Sequence, residues 1–267
     1  MIQLGDVIIF DNKHRLMCGD ITKINITIPN NTILYTDPPY NASFNGKSGD
    51  HDIIINDSMN DNEFYLFIKK WYNNIVVDNN FIAIYIWCNN YLKGVIENID
   101  KERWLVKNKK PIIWIKNNFG MGRNYRPKYE MLMFDGKIDE YIKNECDVWQ
   151  IKKDNGDTYI HPTQKPIECF ERGIKNHANS NFVLDTFAGS GSSFIATIKQ
   201  NKTWLGVELD CQYCNKIIRR YYDYTFSNNI KILRNDKIIG FEQIKKELKL
   251  LNGATKKGEI TEQTRMF

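Results

Sequence analysis

Apolar residues along the chain follow two alternating rhythms. Short apolar runs at 33–35, 81–87, 111–115 and 129–134 are too brief for helices and predict buried strands. Residues 61–77 instead place Phe64, Phe67, Ile68, Trp71, Ile75 and Val76 at helical spacing, and a second helix is expected over 89–99. The last third repeats the alternation most clearly. A helix over about 166–175 opens on a proline suited to its first turn. It is followed by the strand NFVLDT, the turn FAGSGSS, a helix to about 200, the strand TWLGVEL and a helix over about 212–224. One more helix is expected over 241–251, and a frayed tail over about 252–267. Strands alternating with helices predict an α/β fold on a mainly parallel sheet. Three stretches interrupt the rhythm: a polar loop at 42–60, the basic segment KNNFGMGRNYRPK at 116–128, and residues 135–160, which show little periodicity.

Composition narrows the class. With 42% hydrophobic and 26% charged residues among 267, the chain is long enough for a sizeable core and is neither fibrous nor disordered. No apolar run approaches the roughly 20 residues that span a bilayer, and the N-terminus lacks the features of a signal peptide, so a cytoplasmic protein is expected. The six cysteines are scattered except for Cys211 and Cys214. A structural zinc site would need a second Cys/His pair at ligand spacing, so reduced thiols and no metal are expected. The net charge of +5 fits a polyanionic partner without establishing one.

Three segments concentrate chemistry. In YTDPPYN (35–41) two prolines, each without a donor N–H, must end the preceding strand and leave a stiff loop presenting Asp37 and Tyr40. Taken alone this is also an ordinary strand-ending turn. In LDTFAGSGSS (184–193) Gly189 and Gly191 permit a sharp turn and close backbone approach to a ligand at a helix N-terminus. Glu208, 23 positions after Asp185, ends the next strand, where a carboxylate can accept hydrogen bonds from a ribose. Phe194 stands where a dinucleotide fingerprint has its third glycine, which weakens a nicotinamide-cofactor reading. HPTQKP (161–166) brings an imidazole, a hydroxyl and an ammonium before a helix; Lys165 could neutralise a ligand carboxylate and Thr163 hydrogen-bond it.

Together, DPPY, HPTQKP, DTFAGSGSS and VELD resemble the motif set of the DNA amino-methyltransferases in the β order, with the catalytic motif ahead of the cofactor motif. The resemblance extends to HRLMCGD, IIWIKNNFGMGRNYRPKYE and YCNKIIRRYYDYT and covers roughly residues 11–225. It implies one doubly wound, seven-stranded, Rossmann-like methyltransferase sheet, with a small target-recognition insertion at about 116–160. It implies S-adenosylmethionine as cofactor. Asp185, Phe187, Gly189 and Gly191, with Ala188, Ser190 and Ser192 in the same loop, match the cradle of its methionine part. Glu208 matches the acid on its ribose, and Asp20 the carboxylate that reads its adenine, with Ile21 as an apolar wall. His161, Thr163 and Lys165 match the segment closing over the methionine end. Asp37, Pro38, Pro39 and Tyr40 match the catalytic motif. Thr186 departs from the family, which commonly has proline there.

The chemistry so implied is methyl transfer to an exocyclic amine whose lone pair is delocalised into its ring. Asp37 and the Pro38 carbonyl would accept its two N–H groups, aiming the lone pair at the methyl. The base must leave the duplex, and Tyr40 would stack on it. No cysteine nucleophile is needed. Adenine N6 is favoured over cytosine N4, because cytosine-specific members usually carry serine where Asp37 stands. Methylation of RNA or a protein amide is disfavoured by that aspartate and by the β order. A non-catalytic DNA-binding protein would show a damaged motif, and none is damaged. Double-stranded DNA is the expected partner, with Lys47, Lys116, Arg123, Arg126 and Lys128 as expected phosphate contacts. The resemblance also allows a homodimer and a cognate restriction endonuclease.

Overall fold

The computed structural model describes residues 1–42, 55–101, 111–120, 124–139, 142, 145–152 and 164–250. Among them eleven strands form one sheet, in the order β11-β10-β1-β2-β9-β8-β3-β4-β6-β5-β7. The strands are β1 Val7–Phe10, β2 His14–Cys18, β3 Thr32–Thr36, β4 Ala83–Cys88, β5 Ile112–Ile115, β6 Tyr129–Gly136, β7 Val148–Gln150, β8 Phe182–Asp185, β9 Thr203–Glu208, β10 Ile230–Arg234 and β11 Lys237–Ile239. The helices are α1 Asp61–Tyr72, α2 Asn90–Ile99, α3 Ile167–Ile174, α4 Ser192–Lys199, α5 Cys211–Thr225 and α6 Phe241–Leu248.

The centre of the sheet, β2-β9-β8-β3-β4, is parallel throughout. Antiparallel strands extend it on both sides, β1, β10 and β11 on one and β6 with β5 on the other. The sheet therefore exceeds seven strands while keeping the doubly wound parallel core. Alternate residues of each central strand feed two cores: Ile33 and Tyr35 of β3 point into one and Leu34 into the other. Helices α1 and α2 cover the Leu34 side through Phe64, Ile68, Trp71, Leu92 and Ile96. Helices α3, α4 and α5 cover the other through Phe170, Phe194 and Ile217.

Expected elements differ from these mainly at their ends. The helix expected over 61–77 begins at a capping box, in which Asn60 accepts from the Glu63 N–H and Glu63 from the Asn60 N–H, but is α-helical only to Tyr72. A π-helical turn, Asn73–Val77, completes it. Five short strands (β1, β2, β7, β10, β11) are not predicted by the pattern, because runs of three to five residues carry too little periodicity. No helix among the described residues is long and apolar enough to cross a membrane. Folding also gathers cysteines far apart in sequence: Cys18 Sγ lies 3.4 Å from Cys211 Sγ.

The topology decides where a site can form. From β8 the chain crosses by α4 to β9 on one side, and from β3 by α1 to β4 on the other. Strands β3 and β8 are hydrogen-bonded neighbours, so the crevice between them is a topological switch point, where open α/β sheets bind ligands. YTDPPYN, LDTFAGSGSS, VELD and HRLMCGD all run across the carboxyl ends of parallel strands and so share that edge.

Candidate active site

Strand β3 stops at Thr36, and after Asp37 the chain continues as Pro38 and Pro39, whose nitrogens cannot donate to a ladder. The loop beyond is fixed from outside. Asp57 accepts from the Tyr40 N–H at 3.2 Å and the Ala42 N–H at 3.1 Å. Asn41, at φ 55°, exchanges hydrogen bonds with the Met59 backbone through its side-chain amide at 2.8 and 2.9 Å. Within the loop the Tyr40 hydroxyl donates to Asp37 Oδ1 at 2.8 Å. Asp57 is a support that the sequence does not single out; a carboxylate 17 positions from Tyr40 gives no local signal of this role.

Lys165, just before α3, crosses to the same point. Its side chain is 4% exposed, with Nζ 2.5 Å from Asp37 Oδ2, 3.2 Å from the Tyr40 hydroxyl and 3.1 Å from Glu130 Oε2. Glu130 Oε1 in turn pairs with Lys116 Nζ at 3.2 Å. Burial pushes the Asp37 carboxyl above its ordinary range and Lys165 only partly opposes it. For Glu130 burial also acts upward, but Lys165 and Lys116 together hold it below the usual range. Lys116 is thus corrected: expected as a phosphate contact, it is buried, and its charge pairs with Glu130 instead of facing solvent. Glu130 is a site residue that sequence reasoning missed.

The residues expected to cradle the cofactor have equally specific surroundings. Asp185, 2% exposed, accepts at Oδ1 from the Thr36 hydroxyl (3.0 Å) and the Phe187 N–H (3.1 Å), and at Oδ2 from the Ser193 hydroxyl (2.5 Å). Both hydroxyls are themselves fed. Trp204 Nε1–H donates to Ser193 Oγ at 3.0 Å, and Trp71 Nε1–H to Thr186 Oγ1 at 3.0 Å. Because Thr36 gives its proton to Asp185, Thr186 is the donor in their 3.0 Å contact. The residue that departs from the family is therefore one link of a buried hydroxyl chain ending on Asp185. Burial raises the Asp185 pKa to about 6 despite these donors.

Gly189 and Gly191 have φ of 50° and 74°, and a Cβ at Gly191 would stand 3.1 Å from Ile217. The Gly189 N–H donates to Glu208 Oε2 at 2.7 Å and the Asp210 N–H to Oε1 at 2.8 Å. Burial nevertheless raises the Glu208 pKa to about 7. Ser192 donates to the Lys165 carbonyl at 2.8 Å and so ties this loop to the lysine segment. Asp20 accepts from the Thr22 N–H and hydroxyl at 2.9 and 2.8 Å and pairs with Lys23 at 3.0 Å. Burial acts upward on its pKa, but these partners bring it below the usual range. The Phe187 ring lies edge-on to Trp71 at 5.4 Å.

One cavity of about 470 Å³ joins these parts. Its walls include Asp20, Ile21, Phe187 to Ser190, Ser192 and Glu208, and also Asp37 to Tyr40 and Lys165. That volume is within the range of small-molecule sites. Lys116, Gly120, Pro127, Tyr129 and Glu130 line it from the β5–β6 side. Just beyond, Arg126 and Lys128 are exposed, 5.8 and 5.6 Å from the ring of exposed Phe119. Lys47, Arg123, His161 and Thr163 lie outside the described residues.

The model of the N6/N4 methylase family, described as DNA methylase, matches residues 32–219. The type II methyltransferase M.HpaI of Haemophilus parainfluenzae is 24% identical over 229 residues, spanning 74% of this chain and 71% of that protein. The type II methyltransferase M.HinfI of Haemophilus influenzae is 24% identical over 255 residues, 79% of this chain and 68% of that one. Among solved structures, the cytosine-N4-specific PvuII DNA methyltransferase shares the fold with a TM-score of 0.62 at 14% identity, over 89% of this chain and 92% of the other. A Thermus thermophilus protein solved with S-adenosyl-L-methionine has a TM-score of 0.53 at 19% identity, over 79% and 93% of the two chains.

Proposed function

The chain belongs to the N6/N4 DNA methylase family, and from that premise we propose that it transfers a methyl group from S-adenosylmethionine to the N6 amino group of a flipped-out adenine in duplex DNA. The observation that carries this reading is the single cavity shared by Asp37, Pro38 and Tyr40 with Asp185 and Glu208. Its walls suit the cofactor: positive-φ glycines leave room beside Ile217, and the carboxylates Asp20, Asp185 and Glu208 match an adenine amine, a methionine ammonium and ribose hydroxyls. When bound, S-adenosylmethionine supplies an electrophilic methyl on a sulfonium and leaves as the neutral thioether.

The chain's own residues prepare the nucleophile. Asp37 and the Pro38 carbonyl accept the two amino hydrogens, turning the nitrogen lone pair out of ring conjugation and toward the methyl. As the N–C bond forms, nitrogen becomes cationic, and the negative Asp37 carboxylate stabilises that charge. One N–H proton must then be lost, and Asp37 is placed to take it before passing it to water. Tyr40 gives the extruded base a face worth on the order of 1–3 kcal/mol. Adenine is preferred over cytosine because Asp37 stands where cytosine-N4 members of the family usually carry serine. Exposed Arg126 and Lys128 hold phosphates beside the pocket mouth, and Lys47 and Arg123 are assigned the same role.

Sequencing genomic DNA, with modification detection, from a methylation-free host expressing the chain tests the reading. Methylated adenine at a fixed recognition sequence supports it. Methylation confined to cytosine would overturn the base assignment, and unmodified DNA would overturn the activity.

A further inference from the structure

Both oxygens of Asp37 are already engaged: Oδ1 accepts from Tyr40 and Oδ2 from Lys165. An amino group that joins this carboxylate uses the second lone pair of one oxygen and lies beside the Lys165 ammonium, whose charge opposes the one that grows on the substrate nitrogen. Tyr40 is fixed through its backbone to Asp57. Lys165 has an alternative in reach, since its Nζ is already 3.1 Å from Glu130 Oε2. We propose that Glu130 is a positioning residue for methyl transfer, the second carboxylate onto which Lys165 withdraws when the target amine takes its place on Asp37. This rests on the methyltransferase reading above.

Three features suit Glu130 to that role. It stands on β6 opposite Trp114 of β5, next to Met131, where the ladder to β4 begins, so its backbone is held by the sheet. Lys116 holds Oε1 at 3.2 Å and keeps Oε2 turned to Lys165. Trp87 and Tyr40 present ring faces 5.2 and 5.3 Å from Nζ, so the ammonium moves along a path lined for a cation. Without Glu130 the displaced charge would be buried and unpaired, so Lys165 would stay on Asp37, beside the nitrogen on which positive charge grows. Withdrawal also frees Asp37 of a competing cation at the moment positive charge grows on the substrate nitrogen.

The groups facing Asp37 are Tyr35 and Tyr40 from β3 and its loop, Cys88 from β4, Glu130 from β6, Lys165 before α3, and Asp185 from β8. The negative charge of Glu130 raises the pH at which Asp37 ionises, and its removal leaves Lys165 wholly on Asp37. Single-turnover methyl transfer with duplex DNA and saturating cofactor, measured across pH, is therefore compared for wild type, Glu130→Gln and Glu130→Asp. Glu130→Gln should lose about 100-fold in rate with cofactor affinity near wild type, and its acid limb should move to lower pH. Glu130→Asp keeps the charge, so it should recover at least about tenfold over the glutamine variant and keep the wild-type acid limb. In a Lys165→Met background, Glu130→Gln should change the rate no further, since its partner is gone. Equal impairment of the Gln and Asp variants, an unmoved acid limb in Glu130→Gln, or additive losses in the double variant would overturn the inference while wild-type transfer stands. If Glu130→Gln does not fold, Glu130→Asp decides: an acid limb displaced from wild type overturns it. A wild-type chain that transfers no methyl group overturns this inference and the functional reading together.

Discussion

Replacing Asp185 by asparagine should make the ligand-free protein more stable at neutral and alkaline pH while removing function. The carboxylate is 2% exposed, and burial raises its pKa from 3.8 to about 6. A folded-state pKa above the unfolded one means the folded chain binds the proton more tightly, so stability is greatest in acid and is lost as pH rises from near 4 to beyond 6. The full loss is about 3 kcal/mol, of which about 2 kcal/mol falls between about pH 4.5 and pH 8. Asparagine is nearly isosteric and uncharged and pays none of this. It keeps an acceptor for Thr36 and the Phe187 N–H but forfeits the acceptor for the Ser193 hydroxyl, at about 1 kcal/mol. The variant should therefore match wild type near pH 4.5 and be more stable by about 2 kcal/mol near pH 8. Urea unfolding of both proteins at the two pH values, without cofactor, measures the divergence. Isothermal titration should show cofactor affinity falling in the same variant. Stability curves that run parallel across the range would refute the claim that Asp185 is held ionised at a cost for the sake of its ligand.

Lys165→Met removes the cation that opposes burial at Asp37, so the acid limb of the rate profile should move to higher pH, opposite to Glu130→Gln, and unfolding free energy should fall by about 3–5 kcal/mol; an unmoved limb would dissociate Lys165 from Asp37. Thr186→Pro, although it restores the residue common in the family, should destabilise by about 1–3 kcal/mol in thermal or urea melts, because it strands the buried Trp71 Nε1–H. A variant as stable as wild type would mean the hydroxyl chain to Asp185 carries no weight. Arg126→Ala and Lys128→Ala should each weaken DNA binding without altering sequence preference and reduce the slope of log affinity against log salt by about one, read by fluorescence anisotropy. Unchanged slopes would place the DNA elsewhere.

Asp37, Asp185 and Glu208 are legible in the sequence because each closes an apolar run, and the prolines after Asp37 and the glycines after Asp185 stop the strand or turn the chain, so their place follows from local rules. Lys116 and Glu130 are not. Their pairing arises because β6 returns antiparallel beside β5, where Glu130 lies opposite Trp114 and diagonally from Lys116. Read linearly, KNNFGMGRNYRPKYE is a basic loop; folded, its first lysine is buried and its glutamate neutralises a catalytic-pocket ammonium. Thr186 illustrates the converse. As a departure from a motif it suggests a small loss of loop rigidity, whereas its hydroxyl takes a tryptophan donor and passes its own proton toward Asp185. The edge strands escape sequence reading because three to five residues cannot display a period, and the sheet is extended there by pairing rather than by local preference.

The account centres on Asp37 as the acceptor that readies an adenine amine. Purified wild type and Asp37→Ala, incubated with duplex DNA and methyl-labelled S-adenosylmethionine, can be compared by mass spectrometry of the digested nucleosides alongside cofactor titration. The account predicts labelled N6-methyladenine from wild type, none from the variant, and similar cofactor affinity in both. Labelled adenine from Asp37→Ala, or label confined to cytosine in the wild-type reaction, would contradict it.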